Sequence, residues 1–170
     1  MSTSETQLDP AMNSQPQKEH QWLHKLVGEW TFESEASMGP DAPPETCSGT
    51  ESVRSLGGLW VLCEGHGEMQ GVPVTSLITL GYDPQKKRFV GTFIASMMTH
   101  LWLYDGELDQ AKRVLTLNAE GPDFSVPDKM AKYKDVVEFK SDDHRVLSSH
   151  VLGDDGTWHC FMTANYRRKK

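Results

Sequence analysis

Residues 77–108 read LITLGYDPQKKRFVGTFIASMMTHLWLYDGEL, and this stretch decides the fold. Three strands are predicted in and around it, over 74–82, 88–96 and 100–105, because these segments are rich in β-branched and aromatic residues. Between the first two, Asp83-Pro84-Gln85-Lys86 is typical of a tight turn in which proline fixes φ. An antiparallel ribbon of this kind, repeated along a chain of 170 residues, predicts a closed up-and-down barrel.

The rest of the sequence predicts seven further strands and one short helix. Residues 1–17 are polar and are expected to be disordered, whereas residues 18–170 are expected to form one β-barrel domain. Over 18–27, apolar residues from Trp22 to Val27 recur at the spacing of an amphipathic helix, which would need an apolar surface such as the open end of a barrel. The further strands are predicted over 30–38, 46–56, 59–69, 113–120, 132–140, 145–152 and 158–167. The predicted fold class is therefore all-β, a closed antiparallel barrel of about ten strands with a short N-terminal helix capping one end.

Composition and charge argue against several classes of partner. The chain has 17 Lys and Arg against 24 Asp and Glu, a net charge of −7, which argues against a nucleic-acid partner. No apolar run has the length of a membrane span and no apolar leader begins the sequence, so no membrane association is predicted and the expected location is the cytoplasm. Cys47, Cys63 and Cys160 fit neither a disulfide framework nor a metal spacing, so neither a metal nor another cofactor is predicted. The sequence leaves a homo-oligomer open.

Several short motifs occur in a defined order: Leu-Val-Gly-Glu-Trp at 26–30, Leu-Gly-Tyr-Asp at 80–83, Thr-His-Leu-Trp at 99–102, Asp-Gly-Glu-Leu-Asp at 105–109 and Tyr-Arg at 166–167. In this order and spacing the chain, over about residues 18–169, resembles the bacterial family catalogued as domain of unknown function 1579. The resemblance implies a closed, calycin-like barrel of the lipocalin and fatty-acid-binding kind. It implies no catalytic residues, because the family has no established activity.

The Gly-x-Trp that ends the first motif also resembles the lipocalin signature, in which the tryptophan closes the barrel floor against a basic residue from a late strand. In this chain the resemblance implies that Arg145 or Arg167 stands over Trp30. The same start, together with three late histidines, is similar to nitrobindin, an intracellular ten-stranded barrel that holds haem through a late histidine. The chain departs from nitrobindin directly after Trp30, where it reads TFESE. Haem binding is therefore one alternative function.

The central hairpin supplies the first candidate site residues. With Met97-Met98 as its turn, the period of two places Phe93, His100 and Trp102 on one face. We expect this face to point inward, because the opposite face carries charged residues. Inside the barrel, His100 is either a core histidine bonded to a neighbour or a ligand contact and proton-transfer group.

Two other predicted strands supply the remaining candidates. Trp60, Glu64 and His66 share one face of the third predicted strand. If that face is inward, a carboxylate and an imidazole enter the cavity together and bind a cation or a polar ligand. The alternative is that this end of the strand is solvated. On the eighth predicted strand Tyr133 shares a face with Asp135, and its hydroxyl is expected to reach the cavity.

These residues lead to three functional hypotheses. The first is a cytoplasmic barrel protein that binds a small, largely apolar ligand. The second is an enzyme that transfers protons in the same cavity, with His100 or Glu64 as the base. The third is a structural or partner-binding domain whose barrel is filled by its own side chains, although ten strands leave more interior room than eight. The candidate ligand-binding residues are Trp60, Glu64, His66, Phe93, His100, Trp102 and Tyr133.

Overall fold

Ten antiparallel strands close into a barrel in this structure, a computed structural model that describes residues 12–37 and 42–170. A short helix, α1 (Lys18–Leu23), and a 3₁₀ turn at His24–Leu26 precede the first strand. The strands are β1 (Gly28–Ala36), β2 (Glu45–Leu56), β3 (Trp60–Met69), β4 (Val72–Asp83), β5 (Arg88–Ala95), β6 (Trp102–Leu108), β7 (Val114–Pro122), β8 (Met130–Ser141), β9 (His144–Leu152) and β10 (Trp158–Arg168). Each strand pairs with its neighbours in the chain, and β1 closes the ring by pairing with β10.

The predicted fold class is confirmed, with ten strands, up-and-down topology and a helix before the first strand. Differences are confined to element ends. The predicted end of the first strand, Met38, lies outside the described residues, as do residues 1–11 of the segment predicted to be disordered. The sixth strand begins at Trp102 rather than at His100.

The hairpin of β5 and β6 has the predicted register but not the predicted turn. Phe93 pairs with Trp102, as the alternation of side chains requires. The predicted two-residue turn is wrong, because residues 96–101 form a longer loop. The reason is that Ser96 continues to bond to β4: its backbone N–H donates to the Thr75 carbonyl (2.8 Å), and its hydroxyl accepts from the Thr75 N–H (2.9 Å).

The turn between β2 and β3 follows directly from the sequence. Gly57 and Gly58 both have positive φ, of 63° and 77°. The connection has three residues, 57–59, because Leu56 pairs with Trp60. Positive φ at two successive residues of this turn is a conformation that glycine adopts without steric cost.

The helix covers one end of the barrel, as its apolar spacing predicts. Trp22 is buried and packs edge-on against two inward-facing rings, Phe89 on β5 at 6.1 Å and Phe139 on β8 at 5.6 Å. The Trp22 Nε1–H donates to the Lys112 carbonyl in the β6–β7 connection at 2.7 Å. Leu23 is also buried, so packing of the apolar face of α1 against the barrel stabilises this helix, which is too short to be stable alone.

Among the described residues, the structure contains no helix that could span a bilayer.

Trp30 forms the floor of the barrel beneath this helix. It has 0% exposure, and its Nε1–H donates to the Leu26 carbonyl at 2.8 Å. The guanidinium of Arg145 lies 4.7 Å from its ring, and that of Arg168 lies 4.2 Å from it. Arg145 is one of the two candidates implied by the lipocalin resemblance, but Arg167 is not a partner, because alternation on β10 turns it outward and turns Arg168 toward Trp30.

The substitution Trp30→Ala should lower the free energy of unfolding by about 3–5 kcal/mol, because it leaves a cavity beneath two guanidinium groups. Denaturant unfolding of the purified variant measures this loss. Trp158→Ala is the matched control, since Trp158 is 39% exposed on the outside of the barrel and its loss should cost about 1 kcal/mol or less. Equal stability of the two variants would contradict the role of Trp30 as the floor.

Candidate functional site

A cavity of about 210 Å³ occupies the end of the barrel opposite the helix. Its rim comes from the β5–β6 and β7–β8 connections, whereas α1 bonds to the β6–β7 connection at the other end. Met97 and Phe124 stand at this rim with 53% and 54% of their surface exposed. The lining residues, mostly apolar and drawn from β5 to β10 and the two rim loops, are Phe93, Met97, Met98, Trp102, Tyr104, Ala119, Phe124, Tyr133, Asp135, Ser149, Phe161 and Met162.

Aromatic rings form most of the upper wall. Tyr133 is at the centre of this cluster, with ring centroids 5.0 Å from Trp102, 6.0 Å from Phe124 and 6.0 Å from Phe161. Trp102 and Tyr133 each carry one polar atom, and both atoms already have partners. Trp102 Nε1–H donates to the sulfur of Met98 at 3.1 Å, and the Tyr133 hydroxyl donates to the Pro122 carbonyl at 2.7 Å. The rings therefore offer apolar surface and π-faces to the cavity rather than free hydrogen-bonding groups.

One carboxyl group lies at the base of this cavity. Asp135 points inward from β8, where its Oδ1 accepts from the Ser149 hydroxyl at 2.6 Å and its Oδ2 accepts from the Tyr104 hydroxyl. Burial raises the pKa of Asp135 above the usual aspartate range, and the two hydroxyl donors only partly oppose this effect. Burial also raises the pKa of Tyr104 well above its usual value, with the neighbouring Asp135 adding to the shift.

Asp135 has no counter-charge at salt-bridge distance within the described residues. None of their Lys, Arg or His side chains lies within 4.0 Å of its carboxyl oxygens. A second acid that the described strands turn into the barrel, Glu51 on β2, forms a buried ion pair with Arg145 on β9. Asp135 is therefore the charged or chargeable group that the cavity leaves available for recognition.

The raised pKa of Asp135 gives a signed prediction for stability. The folded state binds this proton more tightly than the unfolded state, so stability is expected to fall as pH rises above about 3.9, the usual aspartate pKa, toward the folded-state pKa. The stability of wild type relative to Asp135→Asn should therefore decrease with rising pH in this window, by at most about 1.4 kcal/mol per pH unit. Unfolding curves of both proteins from pH 4 to 8 measure the difference.

Asp155→Asn is the control for this measurement. Hydrogen bonds from the hydroxyl and amide of Thr157 lower the pKa of Asp155, so its small contribution to stability is lost only below about pH 3.9, the usual aspartate pKa. Between pH 4 and 8 the stability of wild type relative to Asp155→Asn should therefore stay nearly constant. A wild-type advantage over Asp135→Asn that grows with rising pH would contradict the assignment of Asp135 as a carboxyl with a raised pKa.

The structure brings together three of the residues predicted to bind a ligand. Phe93, Trp102 and Tyr133 all line the cavity. The inward face chosen for the central hairpin is thus the face that the structure turns inward, with Trp102 and Tyr104 buried. The hydroxyl of Tyr133 reaches the Pro122 carbonyl at the rim rather than the cavity interior.

His100 does not lie in the cavity, although its spacing of two residues from Trp102 would place both on the same face of a regular strand. It precedes β6 in the 96–101 loop, and its Nε2 lies 3.0 Å from the Glu120 carbonyl on β7. Its ring packs edge-on against Trp102 at 4.7 Å, and the residue lines a groove on the outside of the barrel. The reason is that β5–β6 pairing ends at Phe93 and Trp102, so alternation no longer orients the side chain two residues earlier.

Trp60, Glu64 and His66 lie on the outer face of β3, so the inward alternative for this face is wrong. Glu64 and His66 are exposed and pair with each other at 2.9 Å. Trp60 covers Gly81 of β4 from outside, where an added Cβ would stand 2.5 Å from the indole. The residues between them, Val61, Cys63 and Gly65, are buried and form the inner face. This placement also removes Glu64 from any proton transfer inside the barrel.

Sequence reasoning missed the polar base of the cavity. Asp135, Tyr104 and Ser149 come from β8, β6 and β9, and nothing local connects them. One signal was present: Asp135 interrupts a face that otherwise carries Tyr133, Val137 and Phe139. An acid on an inward apolar face marks a buried carboxyl that needs an explanation.

The cavity does not fit the haem alternative. No histidine is among the described residues that line it, so it lacks the proximal histidine that the nitrobindin resemblance implies. The late histidines do not converge either, because His150 on β9 lies opposite Cys160 and His159 lies opposite Val151. Within residues 12–37 and 42–170, no group of three or more His, Cys, Asp or Glu side chains is placed to hold a metal ion.

The family model described as "Protein of unknown function (DUF1579)" matches residues 15–168. The chain belongs to this family. Membership agrees with the closed barrel and carries no activity with it. No curated protein matches the chain.

Among solved structures, the chain is similar to Rv2717c from M. tuberculosis, with a TM-score of 0.59 at 11% identity over 92% of this chain and 100% of that one. Two barrels with lower TM-scores are EF1p2_mFAP2b bound to DFHBI (0.48, 13% identity, 88% of this chain and 98% of that one) and a fluorescence-activating beta barrel designed de novo (0.47, 14% identity, 84% of this chain and 93% of that one). At these identities the likeness to Rv2717c shows the fold alone.

Proposed function

We propose that this protein binds a small, largely apolar molecule in the cavity between the β5–β6 and β7–β8 rims. The observation that carries the proposal is the make-up of the cavity, an apolar and aromatic wall with a few polar groups at its base, which is typical of small-molecule sites. Phe93, Trp102 and Tyr133 from the sequence prediction, together with Asp135, are the residues we expect to contact the ligand.

The volume of the cavity indicates the size of the ligand. At about 210 Å³ it is smaller than the sites that hold drug-sized molecules. It exceeds the roughly 150 Å³ of an engineered apolar cavity that binds benzene. A molecule of one ring with a short substituent therefore matches the space. Its contacts would replace the packing that the lining side chains lack on their cavity side.

The location of the protein is proposed on separate grounds. Cys47, Cys63 and Cys160 are all free thiols, which supports the predicted reducing compartment, the cytoplasm.

The homo-oligomer that the sequence leaves open stays a prediction. Exposed apolar residues on the outside of the barrel, among them Leu101 and Leu103, offer a surface on which a second copy could pack.

Filling the cavity tests the proposal. Toluene should raise the melting temperature of the wild-type protein in proportion to its binding, because a ligand of the folded state stabilises that state. Ala119 lines the cavity on β7, and Ala119→Leu should weaken toluene binding by about tenfold or more in a calorimetric titration, because the added methyl groups take the ligand's space.

Glu120→Leu is the matched control, since it introduces the same side chain at the next position, on the outer face of β7. It should bind toluene like the wild type. Circular dichroism establishes that both variants are folded before binding is compared. Toluene binding that survives Ala119→Leu, or that is absent from the wild type, would contradict the proposal.

A further inference from the structure

Two hydroxyl groups hold the carboxyl of Asp135 through hydrogen bonds. Each of its two oxygens accepts from a hydroxyl, one from Ser149 and the other from Tyr104. When the carboxyl is ionised it accepts from both hydroxyls, and hydrogen bonds to the charged form stabilise it. The two donors therefore prepare Asp135 for a negative charge that no described cation within salt-bridge distance balances.

The same barrel shows what a balanced buried acid looks like. Glu51 is buried beside Arg145, whose guanidinium also lies over the rings of Trp30 at 4.7 Å and Tyr166 at 4.0 Å. At the helix end, carboxylate, cation and aromatic faces are all supplied by the chain. At the cavity end, the carboxylate and the aromatic faces are present, but no described Lys, Arg or His lies within salt-bridge distance of the carboxylate. His150 on β9 acts on Asp135 only from beyond that distance.

The aromatic wall is suited to supply the second half of cation recognition. Trp102, Tyr133 and Phe161 line the cavity around its upper part, with Phe93 and Phe124 beside them. The face of an aromatic ring attracts a cation placed over it, most strongly in a desolvated site. A negatively charged ligand would instead meet Asp135 at close range, at an energetic disadvantage that low dielectric increases.

We propose that the ligand of this cavity is a small aromatic or aliphatic amine, whose ammonium group lies between the Asp135 carboxylate and the aromatic wall. This inference rests on the proposed function, since it names the chemical class of the molecule held in the same cavity. The ammonium neutralises Asp135 as the guanidinium of Arg145 neutralises Glu51. The net charge of −7 for the whole chain also favours the approach of a cation over that of an anion.

Three one-ring probes of similar size and different charge test the inference: benzylamine, benzyl alcohol and benzoate. Calorimetric titration of the wild type at neutral pH should rank their affinities in that order, with benzylamine about tenfold or more tighter than benzyl alcohol. Asp135→Asn, which keeps the shape of the side chain, should reduce the advantage of benzylamine over benzyl alcohol to within about threefold.

Glu138→Gln is the matched control, because Glu138 is on the same strand with its side chain partly exposed beside Lys140. It removes the same charge from the protein and should keep the wild-type ranking. Equal affinity for amine and alcohol in the wild type, tightest binding of benzoate, or an amine preference that survives Asp135→Asn would each overturn the inference. Binding of toluene and benzyl alcohol without an amine preference would overturn the inference alone, whereas failure of all four probes to bind would overturn the proposed function with it.

Discussion

The hydrogen bonds that join β1 to β10 are the constraint on which the rest of the structure depends. They run from Trp30 opposite Arg168 to Ala36 opposite Met162, and they convert two strand edges into a closed ring. Closure gives every strand one inner and one outer face, so each residue's parity decides whether it meets the core or solvent. With the helix end filled by Trp22 and Trp30, the interior room that ten strands leave is at the other end.

Two acids that the described strands turn toward the interior, Glu51 and Asp135, differ in their partners. Glu51 is neutralised by Arg145, and the pair packs against Trp30 and Tyr166. Its charges are therefore balanced within the floor of the barrel and need no ligand. Asp135 receives only hydroxyl donors and adjoins open volume. A carboxyl removed from water is expensive to hold without a cation, and groups with such perturbed pKa values cluster at functional sites.

Alternation along a strand identified faces reliably but did not always identify the inner one. On β5 and β6 the charged residues of one face excluded it from the interior, and the aromatic face is inward. On β3 both faces were ambiguous, because Trp60 accompanies Glu64 on one and glycines alternate with Val61 and Cys63 on the other. The inner face of β3 carries the smaller residues, and Cys63 on this face lies close enough to Glu51 and Arg145 for both charges to act on its thiol. Trp60 packs outside against Gly81.

The sequence by itself determined the features that depend on near neighbours: strand number and order, the Gly57-Gly58 turn and the apolar face of α1. The stacking of a late arginine on Trp30 is a long-range contact that the lipocalin resemblance implied. Side-chain period and turn chemistry act over a few residues, so they can be read along the chain. Only the tertiary structure decided that Asp135, Tyr104 and Ser149 meet at one point and that His100 stays at the rim. These placements depend on register accumulated across β6 to β9 and on closure of the ring, which join residues that no local pattern connects.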